Sequence, residues 1–222
     1  MEDKDIFIVG ASDHARVVID VVEREGRYRI RGLLDSYKPK GYSVSGYQVL
    51  GSETDLPLLV EATGINKGIV AIGDNWTRRK VAAAIQAAYS PFEFVTAVHP
   101  SAYITPGSRL GPGTIVMGQA WIGVDLEVGE GCVVSSKASF EHDSTMDAYA
   151  SLGAGVTCGA NVHLGFCSAL CIGVTVIHGI RIGSHTVVGA GSTVLSDLPD
   201  CSVAYGLPAR PVRKRQPCDR YL

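Results

Sequence analysis

The sequence predicts a two-part α/β chain: a small open parallel sheet over residues 1–97, then a parallel β-helix over residues 98–222. Three observations carry this. Every sixth residue from Val98 to Val194 is apolar, seventeen in succession, although hydrophobic residues make up only 46% of the chain. Small side chains such as Ser108, Thr114, Ala120, Cys132, Ala138, Ser144, Ala150, Ser168, Thr186 and Ser192 follow those positions at a fixed offset. Ahead of residue 98, β-branched runs that end in Gly or Asp alternate with helical patterns.

The first part reads in order. "IFIVG" is a strand ending at Gly10, "ASDH" a turn and "ARVVIDVVERE" a helix. "RIRGLLD" is a second strand ending at Asp35; "GIVAIGDN" is a third, ahead of the helix "WTRRKVAAAIQAA"; "FEFVTAVHP" supplies a last strand. Ligands of open parallel sheets sit beyond the carboxyl ends of the strands, where Gly10, His14, Asp35 and Gly73 fall. "GASDH" lacks the spaced glycines of a dinucleotide fingerprint. The shared edge of these residues nonetheless favours a nucleotide site over a bare turn.

In the second part a six-residue unit is one short strand plus a corner, and three units make a coil of 18 residues. Glycine stands one residue after many of the apolar positions (Gly111, Gly123, Gly129, Gly153, Gly159, Gly165, Gly183 and Gly189), where it is expected to relieve backbone strain at the corner. Coils stack by parallel pairing at about 4.8 Å.

A net charge of −2, with 20 Lys and Arg against 22 Asp and Glu, gives no footprint for nucleic acid or an anionic membrane. No apolar run reaches the length of a membrane span, and "MEDKDIFIVG" lacks a signal-peptide pattern, so a cytoplasmic location is expected. Six cysteines without a CxxC pair argue for free thiols. Small molecules are the expected partners.

The charged triplet Glu141, His142 and Asp143 stands out in a stretch built of Gly, Ala, Val and Cys. His142 lies two residues past an inward position, at a corner, so its ring can face a groove. A carboxylate beside an imidazole fixes its tautomer and supports proton transfer. The residue 18 positions on, Ala160, offers a backbone N–H one coil above for an oxyanion. Asp125, one coil below Asp143, is expected to stack beneath it. His99, His163, His178 and His185 read as structural or peripheral.

Taken together, "IFIVGASDH", "IVAIGDNWTRRK", "AVHPSAYI", "EHD" and the closing "GLPARPV" closely resemble the hexapeptide-repeat nucleotide-sugar N-acetyltransferases of the bacillosamine and perosamine pathways, with sialic acid O-acetyltransferases as relatives. The resemblance spans nearly the whole chain. It implies a Rossmann-like parallel sheet ahead of a left-handed parallel β-helix, a homotrimer with sites at subunit boundaries, and acetyl-CoA as co-substrate without a metal. It implies acetylation of the C4 amine of a UDP- or GDP-linked 4-amino-4,6-dideoxyhexose, or O-acetylation of a sialic acid.

By position, His142 falls on the general base and Asp143 on the carboxylate that raises its basicity, with Glu141 as the alternative partner. Ser12, Asp13, His14, Asp35 and Gly73 fall on the nucleotide sugar, and Ser151, Ile172 and Ala190, with Ala160, on acetyl-CoA. Asp13 stands where the family often has glycine, and Ser151 where some relatives carry histidine. A zinc hydrolyase is a further reading, because His142 and His178 share a corner two coils apart. A non-catalytic scaffold that binds sugar nucleotides is another.

Overall fold

A computed structural model describes residues 4–221. The amino-terminal unit contains β1 (Asp5–Val9), α1 (Asp13–Glu25), β2 (Arg29–Leu34), β3 (Ser43–Val44), β4 (Tyr47–Gly51), α2 (Leu56–Thr63), β5 (Lys67–Val70), α3 (Asn75–Ala88) and β6 (Glu93–Phe94). Its sheet runs β3-β4-β2-β1-β5-β6. β1 sits at the centre, parallel to both β2 and β5. Ile6, Phe7, Ile8 and Val9 are fully buried, which is why this strand reads as an unbroken apolar run rather than an alternating one.

β3, β4 and α2 occupy a stretch where the periodicity assigns no element. β3 and β4 are antiparallel, joined by Ser45 and Gly46 with φ of 48° and 86°, the double left-handed turn that matches strand twist. "FEFVTAVHP" is not one strand. Glu93–Phe94 pairs with β5, whereas Ala97–Val98 pairs with Ile115–Val116 and is the first rung of the second unit.

That second unit is a prism of short parallel strands paired at an interval of 18 residues, as in Trp121 against Tyr103 below and Ser139 above. It is a left-handed parallel β-helix. Its first face carries the strands beginning at Ala97, Ile115, Val133, Ser151, Ala169 and Val187 and ends in the antiparallel hairpin Ser202–Gly206 and Ala209–Lys214. The second face begins its strands at Tyr103, Trp121, Ser139, Thr157, Thr175 and Thr193, and the third at Arg109, Glu127, Thr145, His163 and Arg181. The apolar ladder fills the interior, from Val116, Ile122 and Val128 up to Val194.

The glycines that follow the apolar positions do a different job from the one expected. Their φ is not positive; instead, a Cβ at Gly123 would lie 2.9 Å from the His142 nitrogen, and one at Gly159 would lie 2.7 Å from the His178 nitrogen. They let successive coils approach. The left-handed conformations fall elsewhere, in three corner columns. One column is Gly107, Asp125, Asp143, Asn161 and Gly179; a second is Gln119, Lys137, Gly155, Gly173 and Gly191; the third is Gly113, Gly131, Tyr149, Cys167 and His185. Asp and Asn tolerate that conformation better than other side chains.

The amino-terminal unit docks on the first face. Ala97, Ile115, Met117 and Val133 share one buried cluster with Ile6, Ile8, Val18 and Val22. α3 lies along the corner between the third and first faces: Asn75 Nδ2 donates to the Ser168 carbonyl at 3.0 Å, and Arg78 Nε to the Gly131 carbonyl at 2.7 Å. The corner between the second and third faces, where His142 lies, is therefore opposite the docked unit.

Candidate active site

The chain enters the His142 corner from the strand Ser139–Phe140 and leaves it into Thr145–Met146. Asp143 takes φ of 56°, which turns its side chain back toward its neighbour. His142 Nδ1 and Asp143 Oδ2 are 2.8 Å apart. The carboxylate accepts the Nδ1 proton, so Nε2 carries the free lone pair. Both side chains are more than half exposed, at 55% and 59%, so this pair faces solvent rather than core.

The coil is held from both sides. The Asp143 N–H donates to the Val124 carbonyl at 3.1 Å, and the Asn161 N–H to the His142 carbonyl at 3.0 Å. Buried Ser144 accepts from the Val162 N–H at 3.0 Å. Ala160 sits on the coil above, 18 residues after His142. Asp125 does not rise toward Asp143: its Oδ1 lies 2.9 Å from where a Cβ on Gly107 would stand, one coil below, and that tilt spares two carboxylates from facing each other.

The candidate sugar-nucleotide residues gather at the carboxyl edge of the sheet. Gly10, at φ 113°, packs against the Ala71 carbonyl, 2.9 Å from a built Cβ, a close approach that excludes any side chain. Asp35 accepts the Ala11 N–H at 2.7 Å through one oxygen and the Tyr37 and Lys38 N–H groups at 2.8 and 2.9 Å through the other. It thus braces the turn as well as facing the edge. Asp13 points into solvent, its side chain 98% exposed and 3.9 Å from Arg16, so its charge is turned away from the helix start.

His14 is different. Its Nε2 is buried without a hydrogen-bond partner among the described residues, and burial, then the Arg78 cation, lower its pKa to about 4.

Arg78, which the sequence did not single out, is 1% exposed. Besides Gly131 it donates to the Ile72 and Gly73 carbonyls at 2.9 Å, to Asn75 Oδ1 at 2.7 Å and to the Tyr149 carbonyl at 3.1 Å. All five of its donors are satisfied, and the Gly73 loop is tied by them to the prism. Beside Asp35, a cleft of about 560 Å³ is lined by Lys38, Lys40, Ser52, Asp55 and Leu58. These also lie outside the sequence-based set; their signal, lysines just past a strand end, is common on any surface.

Ser151 begins a strand of the first face, its Oγ 3.4 Å from the Tyr221 hydroxyl. Ile172 and Ala190 lie at the corner between the first and second faces; Ile172 is 66% exposed, and Ala190 lines a cleft of about 450 Å³ with Tyr205 and Leu207. In one chain the candidate base, the nucleotide edge and the Ile172–Ala190 corner are thus at three separate places. Among the described residues no three His, Cys, Asp or Glu side chains are grouped to hold a metal ion, and no helix is long and apolar enough to cross a membrane.

Comparison with known proteins places this arrangement. Residues 5–85 match the family described as the PglD N-terminal domain. The structure is similar to a mutant of GDP-perosamine N-acetyltransferase from Caulobacter crescentus in complex with CoA and GDP-perosamine: TM-score 0.89 and 33% identity, over 95% of this chain and 97% of that one. It is also similar to the acetyltransferase domain of PglB from Neisseria gonorrhoeae in complex with acetyl coenzyme A: TM-score 0.86 and 28% identity, over 95% of this chain and 100% of that one.

Among curated relatives, UDP-N-acetylbacillosamine N-acetyltransferase of Bacillus subtilis is 29% identical over 117 residues, 51% of each chain. Serine acetyltransferase 2 of Arabidopsis thaliana is 31% identical over 67% of this chain, but the match spans only 41% of the relative's length. On identity and coverage across both units, the chain belongs to the hexapeptide-repeat nucleotide-sugar N-acetyltransferase family.

Proposed function

We propose that this protein transfers the acetyl group of acetyl-CoA to the C4 amine of a nucleotide-linked 4-amino-4,6-dideoxyhexose. The observation that carries the reading is the His142–Asp143 pair at 2.8 Å on an exposed corner, in a chain whose likeness to the C. crescentus enzyme extends over its full architecture. Nε2 of His142 accepts the proton that leaves the amine as nitrogen attacks the thioester carbonyl. Asp143 stabilises the resulting imidazolium. In this reading the Ala160 N–H donates to the carbonyl oxygen as it gains charge, and the CoA thiolate departs and takes up the proton held by His142.

Ser12, Asp13, His14, Asp35 and Gly73 hold the nucleotide sugar in this reading, with Asp35 facing the base, and Ile172, Ala190 and Ser151 line the path of CoA. His142 faces away from the amino-terminal unit of its own chain, so the site is completed between copies in a homotrimer. Assay of UDP- and GDP-linked 4-amino sugars with acetyl-CoA, with a sialic acid as control, tests the acceptor. His142→Asn is expected to lower kcat by roughly 10²- to 10⁴-fold with both KM values near wild type. A variant that keeps normal kcat means another group takes the proton.

A further inference from the structure

The third face carries a second constellation that the reading above does not use. Thr145 Oγ1 is 2.8 Å from His163 Nδ1, and His163 Nε2 is 3.3 Å from Asp147 Oδ2. Because Asp147 accepts from Nε2–H, Nδ1 is left with its lone pair and the Thr145 hydroxyl donates to it. A hydroxyl bonded to an imidazole that a carboxylate orients is the arrangement that activates a nucleophile. The three line a cleft of about 670 Å³ together with Arg109, Glu127 and Gly111, within the size range of small-molecule sites.

An independent observation says that Asp147 is not there for packing. In the same column of neighbouring coils stand Gly111, Gly129, Gly165 and Gly183, where a Cβ would meet the next coil or loop at 2.4, 2.6, 2.6 and 2.3 Å. The fold favours glycine at this position, yet coil 139–156 spends a carboxylate there, and that carboxylate meets His163.

We propose that Thr145, His163 and Asp147 form a second acyl-transfer site that hydrolyses small acyl esters or thioesters through an acyl-threonine. Thr145 Oγ1 attacks the acyl carbon as its proton passes to His163 Nδ1. The bond to the leaving group then breaks, and the departing alkoxide, phenolate or thiolate takes that proton. Water next attacks the acyl-threonine carbon and gives a proton to Nδ1. The Thr145 oxygen leaves with that proton, and the free acid is released. Arg109 lies in the same cleft, 3.9 Å from the Glu127 carboxylate that partly offsets its charge. None of this rests on the role given to His142.

The test uses p-nitrophenyl acetate without any sugar acceptor, read by p-nitrophenol release, with acid quench and peptide mass analysis. Wild type is expected to turn over and to show one acetyl group on the peptide at Thr145. Thr145→Val is expected to lose both, with turnover down about 10²-fold; Thr145→Ser, which keeps the hydroxyl, restores them, and Asp147→Asn falls between. Wild-type turnover in Thr145→Val, no turnover in wild type, or loss of turnover without acetyl-threonine in the wild-type sample would each overturn the proposal. The last outcome would leave Thr145 as a partner of His163 only.

Discussion

Acid should unfold this protein partly through His14. The imidazole follows the first residue of α1, and burial with the Arg78 cation nearby holds its pKa at about 4 against 6.5 in the unfolded chain. Below pH 6.5 the unfolded chain binds a proton that the native state refuses, so stability falls as pH drops from 6.5 toward 4 and this contribution is flat outside that window. At about 1.4 kcal/mol per pH unit, the loss between pH 8 and pH 5 is about 2 kcal/mol.

Urea unfolding of wild type and His14→Gln at the two pH values isolates this contribution, because glutamine is polar but does not titrate. The difference between the two proteins cancels the carboxylates common to both. It also cancels His185, whose pKa is lowered by burial, then by Arg215 and Arg79. His14→Gln is expected to lose about 2 kcal/mol less than wild type. Equal acid sensitivity would show that the native state takes up a proton at His14 as readily as the unfolded chain.

Two further substitutions separate scaffold from chemistry, and a mixing experiment tests the shared site. Asp35→Ala should cost about 1–3 kcal/mol, since three N–H groups lose their acceptor, and should raise KM for the sugar nucleotide while CoA binding stays put; equal loss of both affinities would make Asp35 a brace alone. Gly123→Ala puts a methyl 2.9 Å from the His142 nitrogen and should lower kcat more than stability, and a wild-type kcat would mean the corner yields without cost. Co-expressing His142→Asn with Ser12→Trp should recover about a quarter of wild-type activity if base and nucleotide edge come from different chains of a closed trimer, and none if they come from the same chain.

The prism was legible because its period is set by rung geometry: Phe140, Met146 and Leu152 are inward for the same reason as Ile122 and Val128, and all are buried. His142 was legible because an ionisable side chain at a corner of a charge-poor ladder has no packing role. What the spacing does not reveal is the backbone state of Asp143. With φ of 56° its carboxylate reaches the ring, whereas the sequence, which favoured Asp143 through the resemblance, kept Glu141 as the alternative partner.

Arg78 escaped notice because an arginine on a helix is ordinarily solvated; its burial depends on carbonyls from Gly131 and Tyr149 that are remote in sequence. The hairpin of β3 and β4 carried a signal in Ser45–Gly46, but its strands are too short to show alternation. Thr145 and His163 differ by one coil of 18 residues, so their pairing was open to arithmetic once the coil length was known.

Carboxylates are not spread evenly over the prism. Where the glycine column of the His142 corner reads Gly123 and Gly159 on the coils below and above, the coil between them carries Glu141; where the third face reads Gly129 and Gly165, it carries Asp147. The first column also carries Thr105 and Ile177 on other coils, so Glu141 is an ordinary occupant there; in the second, Asp147 alone interrupts Gly111, Gly129, Gly165 and Gly183, on the coil that also holds His142 and Asp143. A side chain added at those glycines would cost packing energy on the order of 1–3 kcal/mol. The stacking therefore favours glycine in the second column, and what Asp147 gains in its place is the contact with His163. Coil 139–156 thus presents the His142 pair at a corner and the Thr145 hydroxyl, bonded to His163, on the adjoining face.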